Sequence, residues 1–320
     1  MFPSVRMRRL RAAAGLRSMV RETALRAEDL VLPLFVDERH DEARPIACLP
    51  GVEAHPLRSL PRLAKDLESE GVRSVMVFGI PRGKDAEGSG AWQEDGIAQS
   101  AVRAIKSSAD LNVIADVCLC EYTDHGHCGI VRDGEVDNDL TLPRIAGTAS
   151  SLAAAGADIV APSGMMDGMV AAIRGSLDDE GHHMVPVMSY AVKYDSAFYG
   201  PFREAACSSP SFGDRSGYQM DVANRREAMR EASLDIGEGA DMVMVKPAMS
   251  SLDIISDCRG AFDVPIAAYQ VSGEYAMVMS GAAAGLFDAD RAMLESLTAI
   301  KRSGADIITS YYTRDLVAKL

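Results

Sequence analysis

The segment DVCLCEYTDHGHCG sets three thiols, Cys118, Cys120 and Cys128, at C-x-C-x7-C spacing. Three soft sulfur donors in one short loop suit zinc, and the lack of a fourth cysteine leaves a coordination position for water or substrate, as catalytic zinc sites have. His127 offers a fourth donor that would instead close the site into a structural one. The remaining cysteines, Cys48, Cys207 and Cys258, are scattered, so the six together read as metal ligation in a reducing compartment rather than as a disulfide framework.

Two lysines bring a second chemistry. Lys246, in ADMVMVKPAM, stands behind four apolar residues and before a proline, and Lys193 lies in MSYAVKYDS. An ammonium in apolar surroundings is poorly solvated, so its pKa falls and free amine becomes available to attack a carbonyl and form a Schiff base. Two ammonium groups at one mouth reinforce that effect. Taken singly, Lys246 reads more readily as a lysine snorkelling from a strand end, and it is the pairing with Lys193 that favours the chemistry. Arg203 and Arg215 supply guanidinium forks for a substrate carboxylate. Asp116 and Asp167 could orient an amine or a metal ligand, while Ser272 in YQVSGEYAM and Tyr311 in TSYYT carry hydroxyls for another carboxylate or, as in many barrels, a phosphate.

These residues follow short apolar runs that read as strands: Leu30 to Val36, Ser74 to Ile80, Asn112 to Cys118, Ala157 to Ala161, Met184 to Tyr190, Ala240 to Val245, Val264 to Tyr269 and Ala305 to Thr309. Their nearly continuous hydrophobicity suits parallel strands buried on both faces. Segments of helical spacing lie between them, among them Leu60 to Glu70, Gly96 to Ser107, Leu142 to Ala155, Arg225 to Glu238 and Arg291 to Ser303. Glycine punctuates their ends at Gly71, Gly156, Gly239 and Gly304, three of them in Gly-Ala-Asp, where positive φ stops a helix without a Cβ clash. Eight strands alternating with helices predict a (β/α)8 TIM barrel over residues 26–320. Residues 1–25, with Arg6, Arg8, Arg9 and Arg11, predict a basic arm that packs on another subunit. The Ser-, Gly- and Pro-rich stretch 194–222 predicts an active-site lid.

With 320 residues, 48% of them hydrophobic, the chain can bury a barrel-sized core. The net charge of −13 argues against nucleic acid or an anionic membrane as partner. Neither a run of about 18 apolar residues nor a signal-peptide pattern occurs, so a cytoplasmic protein is expected.

From the LPLFV strand to the YYT segment, the chain closely resembles the porphobilinogen synthase, or 5-aminolevulinate dehydratase, family. CLCEYTDHGHCG, SYAVKY, PFREA, FGDRSGYQM, MVMVKPAM and YQVSGEYAM carry the likeness in that order. The resemblance implies a lyase of tetrapyrrole (heme) biosynthesis that condenses two 5-aminolevulinate molecules. It implies Lys246 as the principal Schiff-base lysine, Lys193 as the second, and zinc on Cys118, Cys120 and Cys128. Arg203, Arg215 and Gln219 would hold one carboxylate, Ser272 and Tyr311 the other, and Asp116 and Ser163 would lie by the first substrate's amine. In NRREAMREASLD it implies Glu231 as a ligand of an allosteric magnesium at a subunit interface, and it implies a homo-octamer.

The sequence departs from the family at Gly217, where some relatives carry another cysteine, and at Gly164 and Met169, where many carry aspartate and arginine. Two other readings use the same residues. One is a lysine-based aldolase of other keto acids, which would need no zinc. The other is a zinc-holding barrel closed by His127 and without a substrate.

Overall fold

A computed structural model describes residues 3–320, so the first two residues of the expected arm lie outside the described part. Eight parallel strands form the centre: β1 (Leu30–Asp37), β2 (Ser74–Ile80), β3 (Asn112–Val117), β4 (Ile159–Pro162), β5 (Met188–Lys193), β6 (Met242–Lys246), β7 (Ile266–Gln270) and β8 (Ile307–Ser310). Neighbours run β4-β3-β2-β1-β8-β7-β6-β5. A parallel bridge between Val160 and Val187, with Val160 N donating to Pro186 O at 3.1 Å, joins the two ends and closes the barrel. Every residue of β1, β2, β5 and β7 is buried, as strands walled by helices outside and side chains inside must be.

The glycine stops have the expected conformation, with φ of +100° at Gly71 and Gly156, +109° at Gly239 and +120° at Gly304. The aspartate that follows three of them has its own task. Asp158 accepts from Val113 N at 2.7 Å, Asp241 from Val187 N at 2.8 Å and Asp306 from Ile266 N at 2.9 Å. Each carboxylate thus satisfies a backbone donor at the start of the neighbouring strand, which would otherwise be an orphan. Gly-Ala-Asp is therefore a device of the barrel's N-terminal face, the face that carries stability rather than catalysis.

One strand lies later than its apolar run predicts. The run covers Met184 to Tyr190, yet β5 begins at Met188. Pro186 has no N–H to give the ladder, and Met184 is 92% exposed in the turn before it. The shift makes Lys193 the last residue of the strand.

Residues 3–25 form two short helical pieces, Met7–Arg11 and Ala14–Met19, in which no residue is buried. The stretch 194–222 is an excursion with both ends pinned together. Tyr194 pairs with Met220, Met220 N donates to Lys193 O at 3.0 Å, and Asp195 N donates to Met220 O at 2.8 Å. Between them lie a 3-10 turn, Ala197–Tyr199, and a helix, Gly200–Ala205.

Candidate active site

Lys193 and Lys246 close β5 and β6 and stand opposite each other in the strand register. Both are buried, 5% exposed. Lys193 Nζ donates to Ser163 O at 2.5 Å. Lys246 Nζ sits among four rings, 4.5 Å from the centroid of Tyr269 and 5.1 Å from those of Tyr190, Tyr199 and Phe202. Ring faces attract a cation, but this box also shuts water out. Burial wins, with the Lys193 charge adding to it, and the Lys246 ammonium is pushed down to a pKa of about 7.

Asp116, the penultimate residue of β3, accepts from Ser163 Oγ at 3.2 Å. Enclosure by protein and the charge of Glu121 raise its pKa to about 7 against the pull of both lysines. The cavity between these groups is walled by Asp116, Cys120, Ser163, Lys193, Arg215 and Lys246 together with Phe78, Glu121, Tyr199 and Phe202. Its volume is about 10 Å³, room for a single water. Tyr199 and Phe202 come from the excursion after β5, so that segment fills the space a substrate needs.

The three cysteines are buried, and their Sγ atoms lie within 4.8 Å of one another. Thiol hydrogen bonds from Cys118 and Cys120, then the charges of Arg215 and Lys193, hold the Cys128 thiol well below its ordinary pKa. A converging set of soft donors, one already favoured as thiolate, fits a thiophilic metal such as zinc. His127 does not complete the set. Its Nδ1 is 3.1 Å from Tyr218 Oη and its Nε2 3.0 Å from Phe212 O, so both ring nitrogens are engaged elsewhere.

The remaining expected residues divide. Arg215 lies in the cavity wall, and its Nη2 donates to Gly126 O at 2.9 Å and Ser208 O at 2.6 Å while Nε has no partner. Arg203 lies 3.7 Å from Asp195, with Nε likewise unpartnered. Gln219 is buried with neither end of its amide satisfied and borders the adjoining cleft rather than the lysine cavity. Ser272 Oγ accepts from Phe202 N at 2.9 Å and lies 3.3 Å from Phe198 O, so the excursion occupies the hydroxyl. Tyr311 Oη lies 3.2 Å from Tyr269 Oη.

Glu231 stands in that cleft of about 610 Å³ with Glu227 and Asp167, and burial and those charges raise its pKa. Among the described residues, neither group of three close-set donors contains Glu231.

Sequence reasoning passes over Glu121, the four rings around Lys246 and Glu274. Glu274 is buried and accepts from Met249 N at 2.7 Å and Ser250 N at 3.3 Å with one oxygen, and from Val271 N at 2.9 Å with the other. Its place at the third position of the Ser272–Ala283 helix is the signal that could have found it, since a glutamate there reaches back to the residue before the helix.

The family model described as Delta-aminolevulinic acid dehydratase matches residues 4–319. The chain belongs to this family. It is 53% identical over 320 residues to the delta-aminolevulinic acid dehydratase of Archaeoglobus fulgidus, covering 100% of this chain and 99% of that one. The Staphylococcus aureus dehydratase is 51% identical over 314 residues, covering 97% of each chain. A crystal structure of the Toxoplasma gondii dehydratase (porphobilinogen synthase) with the reaction product porphobilinogen superposes with a TM-score of 0.95 at 39% identity, over 98% of this chain and 91% of that one.

Two of the departures from the dehydratase pattern share one location. A Cβ on Gly164 would lie 3.8 Å from Met169 Sδ, so a small residue and an apolar one stand side by side there. At Gly217 a Cβ would meet nothing within 4 Å.

Proposed function

We propose that this chain condenses two molecules of 5-aminolevulinate to porphobilinogen, with loss of two waters, through Schiff bases on Lys246 and Lys193. The observation that carries the reading is the registered pair of buried lysines at the mouth of a barrel, beside three converging cysteines. Lys246, deprotonated near neutral pH, attacks the ketone of one substrate molecule; Lys193, which faces it across the cavity, engages the other. Asp116 and Ser163 receive the first substrate's amine, and Asp116, with its raised pKa, is suited to move a proton at Oδ1. Arg203, Arg215 and Gln219 attract one carboxylate from the side of the excursion, and Ser272 and Tyr311 receive the other once that segment has lifted. Zinc held by Cys118, Cys120 and Cys128 would supply Lewis acidity toward a substrate carbonyl.

Magnesium at Glu231 belongs to the same proposal. It is supported by the acidic cleft and needs donors beyond the close-set groups of this chain. The arm supports a homo-oligomer, an octamer by family pattern. No helix of the described residues is long and apolar enough to cross a membrane, which accords with a cytoplasmic enzyme.

The test is pyrrole formation from 5-aminolevulinate by wild type and Lys246→Ala, each after chelation and after zinc is restored. Wild type should make product that vanishes on chelation and returns with zinc, and Lys246→Ala should make none. Full activity in Lys246→Ala would refute the assignment, pyrrole formation indifferent to chelation would remove zinc from the reaction, and no product under any metal condition would favour the aldolase reading.

A further inference from the structure

Glu121 is a carboxylate that the reaction as described does not use. It is 3% exposed. One oxygen accepts from the Cys120 thiol at 3.3 Å, and the other, Oε1, has no partner. Across the cavity Asp116 repeats the pattern, with Oδ2 bonded to Ser163 and Oδ1 unpartnered. A carboxylate oxygen of each lies within 4.8 Å of the other, and both residues wall the cavity beneath the lysines.

Leaving a buried acceptor unsatisfied is costly, and a charged one more so. The cations at hand attract both carboxylates but hydrogen-bond neither free oxygen: Lys193 donates to Ser163 O, Arg215 Nη2 donates to the carbonyls of Gly126 and Ser208, and Lys246 Nζ sits among its four rings. A ligand group that is positively charged and carries several N–H donors would satisfy both free oxygens at once. Of the polar ends of an amino-keto acid only the ammonium qualifies, because a carboxylate would be repelled here.

We propose that Glu121 is a specificity residue which, paired with Asp116, receives the ammonium of a bound 5-aminolevulinate. This rests on the function proposed above. It adds a second carboxylate to Asp116 and Ser163, which the proposed reaction already sets against the amine.

A ligand that differs only in the amine tests it. The holoenzyme is incubated with 5-aminolevulinate or with 4-oxopentanoate, the same chain without the amine. Borohydride then fixes the lysine adduct, and its half-saturating concentration is read by intact mass for wild type, Glu121→Gln and Glu121→Asp, with bound zinc measured in each. Glu121→Gln should raise the half-saturating 5-aminolevulinate concentration about tenfold and leave that of 4-oxopentanoate within about twofold, the loss expected for one charge-assisted contact. Glu121→Asp should recover part of the loss.

An equal effect on both ligands, or none on either, would overturn the proposal. So would loss of zinc from Glu121→Gln, which would make the carboxylate a support of the metal site. A wild type that forms no adduct with either ligand would sink the function reading itself, a result distinct from the others.

Discussion

The lysine that ends β6 carries the clearest consequence at the scale of single residues. Its ordinary pKa would leave almost no free amine at neutrality, whereas burial among four rings brings it to about 7. The unprotonated form is the nucleophile, so the initial rate of borohydride-trappable adduct at Lys246 should rise with pH through 7 and then level off. From pH 6 to pH 8 the gain is about tenfold, with little beyond. A rate that keeps climbing about tenfold per unit above pH 8 would mean an unperturbed lysine. The types and spacing of Lys193, Lys246 and the cysteines are legible in the sequence, because nucleophile and soft-donor chemistry belongs to the residue itself. The rings are not: Tyr190, Tyr199, Phe202 and Tyr269 come from separate strands and the excursion, and only the closed barrel sets them around one nitrogen.

Between elements, Glu274 has the largest part. With one carboxylate it fastens the loop that follows Lys246 and Pro247 to the residue that precedes Ser272, so the ends of β6 and β7 hold a fixed spacing. Removing it leaves three backbone donors without their acceptor. Glu274→Ala should therefore lower the unfolding free energy by roughly 3 kcal/mol in a denaturant titration, and Glu274→Gln, which keeps one acceptor oxygen, should fall between it and wild type. Equal stability of all three would mean that water replaces the carboxylate. Element order is readable because eight apolar runs and four glycine stops repeat one unit. The start of β5 is not, because hydrophobicity extends across Pro186, where the ladder cannot. The role of aspartate in Gly-Ala-Asp stays hidden because its partner lies on the neighbouring strand, far away in the chain.

At the scale of the whole molecule, the arm stands out. Val5, Met7, Met19 and Val20 are 72%, 63%, 76% and 42% exposed on a segment with no buried residue in its helical pieces. Exposed apolar side chains of this kind are what the proposed subunit contact would cover. A chain beginning at Arg26 should sediment as a smaller species than the full chain at equal concentration. Identical sedimentation would remove the arm from the assembly.

The excursion after β5 leaves and rejoins the barrel at one point, because Tyr194 and Met220 are bridged and Met220 is bonded to the carbonyl of Lys193. Its path is a detour that also touches the neighbouring strand ends, where Tyr199 Oη donates to Lys246 O at 3.2 Å and Phe202 N to Ser272 Oγ at 2.9 Å. On the proposed function, Phe202 and Tyr199 withdraw to admit substrate while the pairing of β5 with β6 holds Lys193 and Lys246 in register. The proposed reaction thereby divides the two demands that any buried catalyst must reconcile: rigidity falls to the strand ends, and admission to the detour.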